Sequence, residues 1–250
     1  MPRTRRKTSA IDIYHVIIRG INKEKVFADD YHKQKVCQFI RELNDEMPVE
    51  IYAYCVMDNH LHLLVKAKMD VLSKYMQKLG SAYGTFYNRK HNGRNGYVFQ
   101  GRFRSECVET EKYFWVCVRY IHRNPEKANM VKNYVHYKFS SIKEYYFRHA
   151  GIIHMKALKL FDNHYNSQND FIEFHHNEDM NLLLDTDEEM DREKDRIAKS
   201  ILVNLMNEKL IFKIDTVYDD PKIRTVYQDR ISATLKLSKA EARRIMERIR

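Results

Sequence analysis

The stretch Tyr54-Cys55-Val56-Met57-Asp58-Asn59-His60-Leu61-His62-Leu63-Leu64-Val65 decides how this chain is read. Residues 49–56 and His60–Lys66 are rich in β-branched, aromatic and aliphatic side chains, as strands require. Met57-Asp58-Asn59 between them supplies turn-forming residues, so the pair reads as a hairpin. Side chains alternate faces along a strand, which puts His60 and His62 on one side and Leu61 and Leu63 on the other. Two imidazoles about 7 Å apart on one rigid strand can share a cation. On these residues alone the pair reads more readily as two solvated histidines on the polar face of an edge strand. A working metal site needs further ligands and an open position for substrate.

Working outward, residues 11–19 (IDIYHVIIR) read as a buried strand, and Asp30–Glu46 carries apolar residues at a helical period before Pro48. Residues 71–89 form a second long helix with Leu72, Met76, Leu79, Tyr83 and Phe86 along one stripe. Gly93-Arg94-Asn95-Gly96 is a loop, residues 98–108 a further strand or strand pair, and 111–123 a third helix closed by Asn124-Pro125. This order describes an α+β fold with helices packed over a mostly antiparallel sheet. The tail differs. Residues 178–195 hold nine acidic side chains and read as an exposed linker or a solvated helix face. Residues 197–211 and 238–250 read as helices, the second opening on the capping box Ser238-x-x-Glu241.

The 250 residues carry a net charge of +10, unevenly spread. Residues 1–150 hold 27 Lys and Arg against 15 Asp and Glu, a net of +12, while residues 151–250 hold 17 against 19, a net of −2. A basic first half suits a polyanion such as nucleic acid, or simply a soluble cationic surface. The four cysteines form no close CxxC pair and read as reduced thiols. No apolar run is long enough to span a membrane and no secretory segment is legible, which points to the cytoplasm.

Four motifs in order resemble the HUH single-tyrosine transposases (IS200-like), particularly the REP-associated tyrosine transposases. They are YCVMDNHLHLLV at 54–65, Gly101-Arg102-Phe103-Arg104-Ser105, Arg119-Tyr120-Ile121-His122-Arg123-Asn124-Pro125, and Phe139-Ser140-Ser141 followed by Tyr145. The resemblance spans about residues 10–148. It departs at Asp58, where the family usually has Pro, and in the last hundred residues, which it leaves unexplained. It implies a ferredoxin-like HUH catalytic domain over residues 1–148; the residues beyond it read by themselves as an acidic linker region at 149–195 and a mainly helical C-terminal extension at 196–250.

The resemblance further implies Tyr120 as nucleophile and His60, His62 and Asn124 as ligands of a divalent metal, Mg2+ or Mn2+. It implies a 5′-phosphotyrosine intermediate with a free 3′-hydroxyl, a single-stranded or hairpin DNA partner, and a homodimer. Independently, Tyr120 and Asn124 stand at i and i+4 on one helical face. Tyr113 is the rival nucleophile, two turns earlier on nearly the same face. Arg89, Arg94, Arg102 and Arg104 cluster after the second helix among Tyr87, Tyr97, Phe99 and Phe103, a mixture suited to phosphates and unpaired bases. Arg3, Arg5, Arg6 and Lys7 add a candidate phosphate-binding arm. Two other readings stand beside the transposase. One is a catalytically silent DNA- or RNA-hairpin-binding module. The other is a metal-dependent phosphodiesterase with a water nucleophile and Asp58 or Glu106 as its base. In the tail, residues 223–250, with a turn at Lys236-Leu237, have helix-turn-helix character, and read equally as an interaction helix or as plain packing.

Overall fold

The structure, a computed structural model, describes residues 6–91, 93–176, 187–235 and 237–250. Strands β1 (Ile13–Arg19), β2 (Glu50–Val56), β3 (His60–Lys66) and β4 (Arg104–Cys107) form one antiparallel sheet in the order β2-β3-β1-β4. Helices α1 (Asp30–Glu46), α2 (Met69–Lys90) and α3 (Glu111–Lys127) join them, giving the α+β layered architecture that the sequence leads one to expect. The stretch 98–108 yields one short strand, because only its last residues pair with β1; Phe99 makes a single bridge to Gly20.

Period-two alternation sorts the sheet's two faces. Ile18 and Leu61 are register partners on the face beneath α2, where Gly80 approaches the Ile18 side chain. The opposite face carries His15, Ile17, His60 and His62 and is covered by α3. The hairpin turn is pinned from outside: Gly20 N–H donates to Asn59 O (2.8 Å), Phe27 N–H to Asp58 O (2.8 Å), and Lys33 Nζ to Asp58 Oδ1 (2.8 Å). The free edge of β2 is sealed by the Phe139-Ser140-Ser141 segment. Val56 N–H donates to Phe139 O, Ser141 N–H donates to Tyr54 O, and Ser140 bridges Cys55. Sealing an edge in this way removes a row of unpaired backbone groups.

Two expectations need correcting. Helix α3 does not stop at Asn124-Pro125 but runs through Pro125 to Lys127. A proline in the last turn forfeits only one backbone bond, and the turn is still closed by Ala128 N–H to Asn124 O (2.9 Å). The boundary drawn at 148, with a linker at 149–195, is also displaced, for the chain divides into units at 1–179 and 180–250. Residues after α4 (Ile142–Tyr146) form α5 (Met155–His164) and α6 (Gln168–His176), which bury Phe161 and Phe171 against Tyr145. Glu144 anchors the intervening loop by accepting from the backbone N–H groups of Gly151, Ile152 and Ile153. Burial of that apolar surface makes the segment part of the first unit rather than a tether.

The acidic stretch 178–195 lies partly outside the described residues; from Asp187 it is helical. The second unit holds α7 (Asp187–Lys209), α8 (Ile214–Asp219), α9 (Pro221–Leu235) and α10 (Lys239–Ile249) around Leu205, Tyr227, Ile231, Ile245 and Met246. The Ser238–Glu241 capping box opens α10 as read from the sequence. Of the turn suspected at Lys236-Leu237, Lys236 lies outside the described residues, as do Arg3 and Arg5 of the N-terminal arm. Among the described residues no helix is long and apolar enough to cross a membrane.

Candidate active site

His60 and His62 project from β3 onto the α3 face, as alternation dictates, with ring centroids 4.7 Å apart and planes nearly perpendicular. They are not solvated: His60 is 5 % exposed and His62 fully buried. Burying an imidazole without a partner is costly, and both rings have partners on Nδ1. His60 Nδ1 meets Asn59 Oδ1 at 2.5 Å. His62 Nδ1 meets His15 Nε2 at 3.0 Å, and the His15 and His62 rings stack at 5.2 Å. With Nδ1–H donating in each case, both histidines keep an Nε2 lone pair, the form a metal ion needs.

Tyr120 stands over this pair. Its ring lies 5.7 Å from that of His62 and 5.8 Å from that of His15, edge-on to both. Asn124 is buried one turn later, and its Nδ2 lies 3.5 Å from the Tyr120 carbonyl oxygen. Because α3 continues past Pro125, Lys127 at i+7 returns to the Tyr120 side, with Nζ 5.2 Å from the ring centroid. Three residues named from the sequence therefore come together, His60, His62 and Tyr120, and Asn124 is buried one turn beyond Tyr120 on the same helix. Sequence reasoning passed over two neighbours, His15 and Lys127. His15 carried a usable signal, since it alternates in phase with Ile17 and Arg19 on β1. Ile17 and Arg19 are the register partners of His62 and His60.

The donor set fits a hard divalent ion only in part through the protein. Among the described residues no three His, Cys, Asp or Glu side chains gather as a metal-binding group. Two imidazoles plus an amide oxygen of Asn124 leave several positions to water and phosphate oxygens, the usual condition of a catalytic Mg2+ or Mn2+.

The other candidates separate. Tyr113 donates to Glu106 Oε1 at 2.7 Å, and burial together with that carboxylate pushes its phenol well above the ordinary tyrosine range. Asp58 is taken up by Lys33 at 2.8 Å and Lys25 at 3.6 Å, and Glu106 by Tyr113, so each carboxylate considered as a general base is engaged elsewhere. Arg94 pairs with Glu24 and lies over Tyr87, and its guanidinium holds Glu24 below the usual carboxylate range. Arg89 is exposed at the end of α2. Arg102 and Arg104 are exposed around the start of β4 and line one hollow with Arg6.

The family described as "Transposase IS200 like" matches residues 10–124. Among solved structures, a REP-associated tyrosine transposase bound to a REP hairpin superposes with a TM-score of 0.50 at 20% identity, covering 62% of this chain and 91% of that one, a likeness of fold. A transposase-type protein from Deinococcus radiodurans gives a TM-score of 0.35 at 18% identity, covering 46% of this chain and 92% of that one, too loose to bear on the fold. No curated protein matches the chain.

Proposed function

We propose that this chain, whose residues 10–124 match the family described as "Transposase IS200 like", cleaves and rejoins single-stranded, hairpin-flanked DNA through a covalent bond to Tyr120. The observation that carries the reading is the edge-on approach of the Tyr120 ring to His62, a residue 58 positions away in sequence whose neighbour His60 shares its face.

The Tyr120 oxygen attacks the scissile phosphorus. The O–P bond to tyrosine forms as the P–O3′ bond breaks; the phenol gives up its proton and the leaving 3′-oxygen takes one up, so the products are a 5′-phosphotyrosine and a 3′-hydroxyl. The covalent step stores the bond energy, so a 3′-hydroxyl can later reverse the attack and join strands without an external energy source. A phenol with a pKa near 10 is a weak nucleophile at neutral pH. The Lys127 ammonium, 5.2 Å from the ring centroid, can hold a phosphate oxygen. His60, His62 and Asn124 would hold the divalent ion, which supplies charge to a non-bridging phosphate oxygen when bound. His15 acts through His62, fixing its tautomer and orientation as a partner on the far ring nitrogen does for metal-bound histidines. Magnesium or manganese fits the hard oxygen positions that remain. Arg102 and Arg104 supply phosphate contacts that position the strand. We carry the homodimer from the family as part of the same proposal.

The test is a covalent adduct. Purified protein is incubated with Mn2+ and a labelled single-stranded hairpin from the flanks of its own gene, then run under SDS. An adduct lost in Tyr120→Phe and in His60→Ala supports the reading. Tight binding to the hairpin with no adduct would instead make the chain a silent binding module.

A further inference from the structure

On the face of the sheet opposite Tyr120, α2 and the loop at residues 96–103 enclose a cleft of about 620 Å3, a size typical of ligand sites. Its floor is the α2 surface at Gly80, Ser81 and Gly84, and its walls include Phe99 and Phe103. Glycine inside a helix is destabilising relative to alanine, so two of them four residues apart ask for a reason. Packing is not that reason. A Cβ at Gly80 would sit 3.6 Å from Ile18, and one at Gly84 would sit 3.9 Å from Val98, both ordinary contacts. What the missing side chains provide is the open floor.

The cleft has a cationic mouth. Arg6 and Arg102 line it and also line the adjoining hollow of about 380 Å3, which they share with Phe103, Arg104 and Ser105. The Arg6 guanidinium lies over the Phe103 ring at 3.7 Å and donates to the Phe103 carbonyl at 3.1 Å. Burial, and after it the neighbouring charge of Arg102, lowers the Arg6 pKa. Two guanidinium-bearing side chains lining one space can hold an anion between them. Beyond them Arg104 is the register partner of Ile17, itself the partner of His62, so Arg104 stands on the same face of the sheet as His62, about 10 Å away across two strand spacings. Tyr97, 85 % exposed, offers a stacking ring at the edge of the cleft.

We propose that this cleft takes an unpaired nucleotide of the DNA strand, with the base against the Gly80–Gly84 floor and its phosphates on Arg6 and Arg102. The flanking strand then passes Arg104 to reach Tyr120. The inference rests on the reading of the chain as an enzyme of single-stranded DNA, and it adds a base-holding subsite on the far side of the sheet.

The probes are a fluorescent oligothymidylate and an abasic strand of equal length and charge, with affinity read by anisotropy. Wild-type protein is expected to bind the thymidylate strand about tenfold more tightly, the scale of one stacked base. Gly84→Leu fills the floor while keeping every cation, and leucine is a better helix former than glycine. It is expected to reduce the preference below about twofold while leaving abasic-strand affinity unchanged. Arg102→Ala is expected to weaken both strands alike. Equal wild-type binding of the two strands, or a preference that survives Gly84→Leu, overturns the subsite even if the Tyr120 adduct forms. A preference that Gly84→Leu abolishes, with no adduct, keeps the subsite and removes the cleavage reading. Binding of neither strand removes both.

Discussion

Lowering the pH from about 7.5 to about 5 is expected to cost the first unit about 2 kcal/mol of stability through one side chain, His175. The ring is fully buried in α6, stacked on Tyr134 at 5.4 Å and on His122 at 5.3 Å, and packed against Phe171 at 4.2 Å. Its Nδ1 donates to the Phe171 carbonyl at 2.7 Å, and its Nε2 meets His122 Nδ1 at 3.0 Å. Burial pushes its pKa down to about 3, and the nearby Arg119, Arg123 and His176 add to the shift. Burial pushes His122 well below the ordinary range too, with His175 as the second cause. Both therefore fold as neutral rings. In the unfolded chain a histidine titrates near 6.5, so the unfolded state gains a proton first as the pH falls. The stability is fully present above about pH 6.5 and is lost at about 1.4 kcal/mol per pH unit until the folded group also titrates, near 3. At about pH 5 that is 1.5 units, hence the figure of about 2 kcal/mol. The depressed carboxylates, such as Glu24 and Asp29, titrate below this window.

Urea unfolding at the two pH values, followed by tryptophan fluorescence, measures the loss. Trp115 is the only tryptophan, lies 1 % exposed in α3 and stacks on His164, so its emission reports this unit. His175→Gln keeps a hydrogen-bonding group but cannot take up a proton in the window. The variant is expected to be less stable at neutral pH and to lose about 2 kcal/mol less than the wild type on acidification. A wild-type stability that is flat between the two pH values, or an identical pH slope in the variant, would refute the reasoning.

Three further outcomes follow from the site and its surroundings. Tyr113→Phe removes a phenol already held by Glu106 and is expected to leave the adduct yield within about twofold of wild type; loss of the adduct would make Tyr113 the nucleophile. His15→Ala strips the partner from His62 Nδ1 and is expected to weaken Mn2+ affinity by about 10- to 100-fold, read by titration of the metal alone; unchanged affinity would reduce His15 to packing. Asp58→Ala leaves the buried Lys33 ammonium without its carboxylate at 2.8 Å and is expected to cost about 2–3 kcal/mol in urea unfolding. A cost below about 0.5 kcal/mol would show that the pair contributes nothing, as exposed pairs often do.

What the sequence alone determined about this protein is what depends on near neighbours. The hairpin at 57–59, the shared face of His60 and His62, the i,i+4 pairing of Tyr120 with Asn124 and the α10 capping box all follow from strand and helix periods and from cap chemistry. Those rules act over a few residues, so composition and spacing suffice to see them. Tertiary structure alone decided what depends on register and burial. His15 reaches His62 across 47 residues because β1 pairs with β3 in one particular register, and a slip of one residue would turn its ring to the other face. Arg94 is neutralised by Glu24, 70 residues earlier, because the fold brings that carboxylate within its reach. Helix α3 could continue through Pro125, and so bring Lys127 back to Tyr120, because a proline in a last turn loses only one bond. Residues 149–176 became part of the first unit because Phe161 and Phe171 gain more from contact with Tyr145 than a linker composition suggests. In each case the deciding partner is distant in sequence, and no local period records it.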